Sequence, residues 1–468
     1  MAADSTLLLD VGGQGCSALA IDRKGAVRFQ ASRRVNTREE EPRVEQDADA
    51  IVEAIEGLTG EALAEMNRLS LPIAHAALAV QRGSIVCWDR FDGTALGPVI
   101  SWRDRRGIPG MKALAGQAER IRQRTGLRFS PYGGASKMAW CLQELEQVRL
   151  AQEQGRLVCG PLGSFLLASL LVERPERTDA TLAQRTLLWS RETGDWDGWL
   201  LDQFGLSVNV LPEVVPSRSI HGHLHQASRV PMALLMGDQN CVPFLDGRPD
   251  PDTLYINLGT GAFVLRPLRD PVDDERFQLT LLDGDEQSRW ALEGSVHGAA
   301  SAVAWLEHTA DCTIGHERMA RLRERVEQPP LFINSLDGLG SPWWCSGPEP
   351  GFVDEHDQSG VDARLLAVLE SIAFLIAVNV EAMSEHVASP RRVVIGGGLS
   401  RSETVCTLIA DILRTPVERL DSGEATAMGL WCRLHDRALP GRFFETVSAK
   451  RDHGLIERYR RWREYIEA

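Results

Sequence analysis

Two short glycine-rich turns recur in near-identical settings, Asp10-Val11-Gly12-Gly13-Gln14-Gly15 and Asn257-Leu258-Gly259-Thr260-Gly261. Each follows an apolar run that ends in a polar residue, Leu7–Asp10 and Leu254–Asn257, and each precedes a second apolar run, Ala18–Ile21 and Ala262–Leu265. Strand, glycine turn, strand, met twice far apart, restricts the chain to folds with two related cores. Glycine lets backbone N–H groups approach an anion with no Cβ in the way. One such hairpin is a common turn, whereas two predict a clasp for a polyphosphate. The weak likeness of 7–31 to 254–278 reads as a duplicated core rather than a solenoid, since no short period recurs.

At 468 residues the chain is long enough for two or three domains. A formal charge of −14 argues against a nucleic-acid footprint, which needs a basic face. It leaves room for a small phosphorylated ligand held by backbone amides. The nine cysteines are scattered without zinc spacing, which reads as buried reduced thiols and no metal cluster. The opening residues show no basic stretch followed by an apolar one, and no apolar run reaches the roughly 18–20 residues of a membrane span. The expectation is a cytoplasmic protein with no membrane span.

Strands are expected at Leu7–Asp10, Ala18–Asp22, Val27–Ala31, Ile73–Val80, Ser84–Trp88 and Val99–Trp102, with helical spacing over 47–69. Lys112–Arg124, Ser136–Gln154 and Gly163–Val172 read as helices. Turn formers crowd Pro243–Pro251, so a boundary is placed there. Beyond it come a strand end at Trp290–Gly294 and a helix at Gly298–His308. A long periodic helix follows over Asp362–His386, then a strand at Val393–Ile395, a helix at Thr404–Leu413 and a small-residue helix at Ala425–Leu434. The division expected is 1–243, 244–440 and a C-terminal helical extension over 441–468.

Several residues stand where chemistry is done. Asp10, at a strand end before glycines, suits Mg²⁺ or its waters, a hard cation preferring oxygen ligands; an ordinary turn aspartate is the alternative. Asp238 in Gly237-Asp238-Gln239 follows the apolar run Met232–Met236 and suits acceptance of a hydroxyl proton; a turn cap is the alternative. Arg82 and Trp102 offer a fork and a flat apolar wall for a small hydroxylated ligand, while Arg103, Arg105 and Arg106 also fit a plain surface role. Gly396-Gly397-Gly398 after a strand would let a ribose or adenine approach the backbone; a plain turn is the alternative.

The order of motifs resembles the FGGY family of carbohydrate kinases, most closely its glycerol kinase members, from Leu7 to about Leu434. It runs through Asp10-Val11-Gly12, Gln81-Arg82 with Trp88-Asp89, and Ile100, Trp102, Arg105 and Arg106. Thr125-Gly126-Leu127, Pro131-Tyr132, Lys137 and Trp140 follow, then Thr178, Asp179, Thr181 and Ala183. Asp195-Trp196-Asp197 with Leu200, Leu211–Val214 and Gly237–Gln239 continue it. Gly259–Phe263, Leu292–Val296, Gly338–Trp344, Leu369–Ala373 and the triple glycine complete it.

The resemblance implies an α/β, two-domain actin-like ATPase (ribonuclease H-like) fold with the active site in an interdomain cleft. It implies ATP and Mg²⁺ as cofactors and transfer of a phosphoryl group to a primary hydroxyl of a small polyol or sugar, glycerol first. Asp238 would be the general base, with Arg82, Trp102, Tyr132, Asp238, Gln239 and Phe263 around the acceptor. Asp10, Gly12, Gly13, Gly259, Thr260, Gly261 and Gly397 would hold the nucleotide, and Asp10 and Asp238 the metal. A homodimer is the expected assembly. Another polyol or ketose, such as erythritol or xylulose, and a nucleotide- or polyol-binding sensor with degenerate activity stay open. Gly83 stands where glycerol kinases carry a substrate-binding Glu; Gly13 and Ser17 stand where the family has Thr and a basic residue. Glu349, Glu355 and His356 replace a frequent Arg-Gly pair, so no regulatory role is carried over there.

Overall fold

The computed structural model describes residues 5–285, 289–354, 360–420, 424–438, 444–450 and 452–467; Glu355 and His356 lie outside them. The chain divides into two compact units. The first comprises Met1–Pro249, Thr280–Trp290 and Glu424–Pro440, and the second Asp250–Leu279, Ala291–Gly423 and Gly441–Ala468.

The first unit is built on strands β1 (Ser5–Gly12), β2 (Gly15–Asp22), β3 (Val27–Arg34), β4 (Ile73–Val80) and β5 (Pro231–Gly237), ordered β5-β4-β1-β2-β3 with Gly222–His223 at the β5 edge. β1 pairs antiparallel with β2 and parallel with β4, which is in turn parallel to β5. Leu7, Leu8 and Leu9 are fully buried, as expected of a strand covered on both faces. Helix Ala48–Arg68 lays Ile51, Ile55, Leu58 and Ala62 onto this sheet, its first turn capped by the Asp47 carboxylate.

The second unit repeats the plan. β6 (Thr253–Leu258) pairs antiparallel with β7 (Ala262–Pro267) and parallel with β9 (Arg392–Gly396); β7 pairs antiparallel with β8 (Arg289–Val296). β10 (Val417–Leu420) runs parallel to β9. The two hairpins read from the sequence therefore occupy equivalent places in two sheets of the same connectivity, as a duplicated core requires.

Helix Val361–Met383 is the second unit's core helix. Against expectation it contains an 18-residue window of mean hydropathy 2.0, long and apolar enough to cross a bilayer, but that window is 89% buried within the protein. Its polar groups are used internally: Asn379 Nδ2 donates to Ser341 O (2.9 Å), and Asn334 Nδ2 to Ser371 Oγ (3.1 Å).

The compact units cut the chain differently from the expected domains in three places. The first unit runs on to Pro249, past the expected 243. Residues 424–440, assigned to the second domain, join the first unit, because Arg433 of helix Ala425–His435, 2% exposed, ion-pairs Asp283 (3.1 Å) and Asp285 of the returning 280–290 segment. The C-terminal helix His453–Ile466 is no free extension: Trp462 Nε1 donates to Phe332 O (2.9 Å) and Arg458 pairs with Glu370. Two helices were also misjudged. Ser136–Gln154 is split into Gly134–Glu144 and Glu146–Glu153 by the extended backbone of Leu145. Lys112–Arg124 is three short pieces, Ile108–Lys112, Ala115–Gln117 and Ala118–Thr125.

Candidate active site

Three parallel strands of the first unit end side by side, Val11 of β1 beside Val80 of β4 and Val80 beside Gly237 of β5. The C-terminal edge of adjacent parallel strands is where open α/β sheets bind ligands. Asp10, Gln81-Arg82 and Asp238 all emerge on this edge.

Asp10 keeps some exposure as a residue, yet its Oδ1 is enclosed and meets no donor among the described residues. Burial first, then the charges of Asp238 and Glu424, push its carboxyl up to about 8. Glu424, just before helix Ala425–His435, accepts from Gln30 Nε2 at 2.6 Å and is itself raised by burial. Sequence reading missed Glu424, since nothing local marks an acid that only the return of a distant helix brings near Asp10.

Asp238 opens the helical turn Asp238–Cys241, with its Oδ1 accepting from Gln239 N at 2.7 Å. The residue before it is fixed by a buried relay. Gly237 N donates to Thr181 Oγ1 (2.9 Å), and Thr181 Oγ1 to Asp179 Oδ2 (2.7 Å), which also accepts from Ser217 Oγ (2.8 Å). Burial raises Asp179 to about 6, opposed by these hydrogen bonds. Asn240, not singled out from the sequence, spans from Leu281 O (2.5 Å) to Arg82 Nη1 (3.4 Å).

Trp102 and Tyr132 form a tilted aromatic pair with centroids 6.3 Å apart, Tyr132 being 46% exposed. A Cβ on Gly13 would lie 3.9 Å from Trp102 Nε1, so the first glycine turn runs beside the aromatic wall. Its carbonyl is held by Gln46 Nε2 (3.1 Å), and Gln46 Oε1 accepts from Gln81 Nε2 (2.7 Å). Gly12 and Gly15 close the β1–β2 hairpin, and Ser17 faces Asp10 across it.

Gly83 has φ +76°, and a Cβ there would stand 3.0 Å from Tyr132 O and 3.3 Å from Trp102 Cβ. The missing Glu is thus part of a backbone that only glycine adopts without strain. Arg103, Arg105 and Arg106 are scaffold: Arg103 pairs with Glu39 (2.7 Å), Arg105 with Glu41, and Arg106 with Asp104 and Glu45 (2.7 Å each).

In the second unit the exposed turn Gly259–Gly261 is tied to the start of helix Ala300–Thr309, Ala299 N and Ser301 N donating to Thr260 O at 3.1 and 3.0 Å. Gly397, φ +92°, passes so close that a Cβ would meet Leu258 O at 2.4 Å and Asn257 Oδ1 at 2.6 Å. Phe263 lies on β7 opposite Asn257. Asp10, Gly12, Gly13, Arg82, Trp102, Tyr132, Asp238 and Gln239 therefore gather in the first unit, and Gly259, Thr260, Gly261, Phe263 and Gly397 in the second.

The donor set fits Mg²⁺. An enclosed, undonated carboxylate oxygen beside two further acidic groups is what a hard cation relieves.

The N-terminal domain of the FGGY family of carbohydrate kinases matches residues 5–252, and its C-terminal domain residues 254–432. The chain belongs to the FGGY family of carbohydrate kinases. It is accordingly a phosphotransferase with the two-domain actin-like ATPase fold. A glycerol kinase of Trichlorobacter lovleyi is 34% identical over 90% of this chain and 88% of its own length. An apulose kinase of Pectobacterium atrosepticum is 29% identical over 98% and 96%. Among solved structures, Plasmodium falciparum glycerol kinase with ADP superposes with a TM-score of 0.89 at 21% identity, covering 100% of this chain and 98% of that one.

Proposed function

We propose that this FGGY kinase transfers the γ-phosphoryl group of ATP to a primary hydroxyl of a small polyol or sugar, glycerol first, releasing ADP. The observation that carries the reading is the convergence of Asp10, Arg82 and Asp238 on the ends of three neighbouring parallel strands, beside the Trp102–Tyr132 wall. Asp238 takes the proton of the attacking hydroxyl; the Gln239 N–H on its Oδ1 holds the carboxylate in one orientation. Arg82 and Gln239 hydrogen-bond acceptor hydroxyls, Trp102 and Tyr132 supply its apolar wall, and shape selects among acceptors. The glycine turns at Gly12-Gly13 and Gly259–Gly261 present backbone amides to phosphate oxygens, and Gly397 admits the nucleoside. Asp10 and Asp238 would hold Mg²⁺, which when bound neutralises charge on the phosphate oxygens.

A second acceptor class has support of its own. Position 83 offers no side chain, so one hydroxyl partner of a glycerol site is absent, a discrimination of roughly 1–3 kcal/mol. The full-length likeness to an apulose kinase points the same way, toward a ketose or longer polyol.

Asp238→Asn removes the proton acceptor at nearly constant shape. Turnover is expected to fall by about two to four orders of magnitude, the gain typical of a positioned base, with the melting temperature retained. Wild-type-like turnover in that variant would overturn the role of Asp238.

A further inference from the structure

The proposed acceptor wall is carried by three separate stretches of the first unit, Gln81–Gly83, Ser101–Trp102 and Pro131–Tyr132. One side chain reaches the backbone of all three. Lys137, in helix Gly134–Glu144, is completely buried. Its Nζ donates to Gly83 O at 3.1 Å, Trp102 O at 3.2 Å and Tyr132 O at 3.0 Å.

We propose that Lys137 is a positioning residue whose buried ammonium locks the Arg82, Trp102 and Tyr132 stretches together and thereby sets affinity for the acceptor. This rests on reading those three residues as the acceptor pocket. An ammonium has three N–H donors and no acceptor, and the three carbonyls match it one for one. No other common side chain of that length supplies three donors from one atom. A purely structural filler here would more cheaply be apolar, because a buried charge is costly unless fully hydrogen-bonded. The cost is visible: burial pushes Lys137 down to about 7, Asp104 drawing it back up and Arg106 pressing it further down. Gly83 fits the same account. Its left-handed backbone leaves no Cβ to crowd Tyr132 O, one of the carbonyls that Lys137 gathers.

The test compares the full-length wild type with Lys137→Met, which keeps the length and loses every donor. Hydrogen–deuterium exchange is read by peptide, and KM is measured separately for acceptor and for MgATP. The expected result is at least tenfold faster exchange confined to peptides covering 81–84, 101–104 and 130–134. Acceptor KM should rise about tenfold or more, with KM for MgATP within twofold of wild type. Unchanged exchange in those peptides would overturn the lock. So would exchange and both KM values rising together, since that marks general loosening. Lys137→Gln, with two donors at most, is expected to shift the same readings in the same direction, and it carries the test if Lys137→Met does not fold. Exchange needs no turnover, so it decides the lock even where the kinase reading fails. That reading fails separately if the wild type releases no acceptor-dependent ADP.

Discussion

Asp179 never touches a substrate in this account, yet it holds the residue that precedes the proposed base. Its carboxylate is buried and accepts from Thr181 and Ser217, while Thr181 grips Gly237. Burial raises its carboxyl from 3.8 to about 6. A carboxyl more readily protonated when folded contributes stability that is complete below about pH 4 and lost as pH rises through about 6. The loss amounts to roughly 3 kcal/mol at most, at about 1.4 kcal/mol per pH unit of the window. Asp179→Asn should therefore flatten the fall in melting temperature between pH 4 and 6; a variant profile parallel to the wild type would contradict this. At this scale the sequence showed what strand ends and glycines mark. Asp10, Arg82 and Asp238 were legible because each follows an apolar run that had to be a strand. Glu424, Asn240 and the contacts of Lys137 were not, since each acquires its place from segments remote in the chain.

At the scale of elements, the second hairpin depends on the close passage of the β9 end. Gly397 sits against Leu258 O with a positive φ, so Gly397→Ala adds both a clash and an unfavourable backbone, about 1–3 kcal/mol. The expectation is a tenfold or larger rise in KM for ATP with acceptor KM little changed. A normal KM for ATP, measured at saturating acceptor, would remove Gly397 from the nucleotide site. Periodicity located the strands that flank the two glycine turns and the long helices, including Ala48–Arg68 and Val361–Met383. It failed where packing overrides local pattern. The charged strands Thr37–Glu40 and Arg43–Gln46 carry no apolar alternation and exist through pairing, Glu45 lying opposite Ile100. The break at Leu145 has no glycine or proline to announce it.

For the whole molecule, duplication was legible in two glycine turns, and the crossing of the chain between units was not. The turn-rich stretch near 243–251 marks the first passage, but the returns at 280–290 and 424–440 are defined by buried charge pairing around Arg433. Family membership fixes the reaction class; the departures at Gly13 and Ser17 fall on the first glycine turn, proposed to hold phosphate, and the departure at Gly83 falls on the proposed acceptor wall. The most direct test is acceptor-stimulated ADP release from MgATP by the full chain, run against glycerol, erythritol, xylulose, ribulose and gluconate, with Asp238→Asn alongside. The expected result is ADP release that depends on at least one of these acceptors, strongest with glycerol or a ketopentose, and that falls by about two to four orders of magnitude in the variant. ADP release that no acceptor stimulates, despite measurable ATP binding, would contradict it.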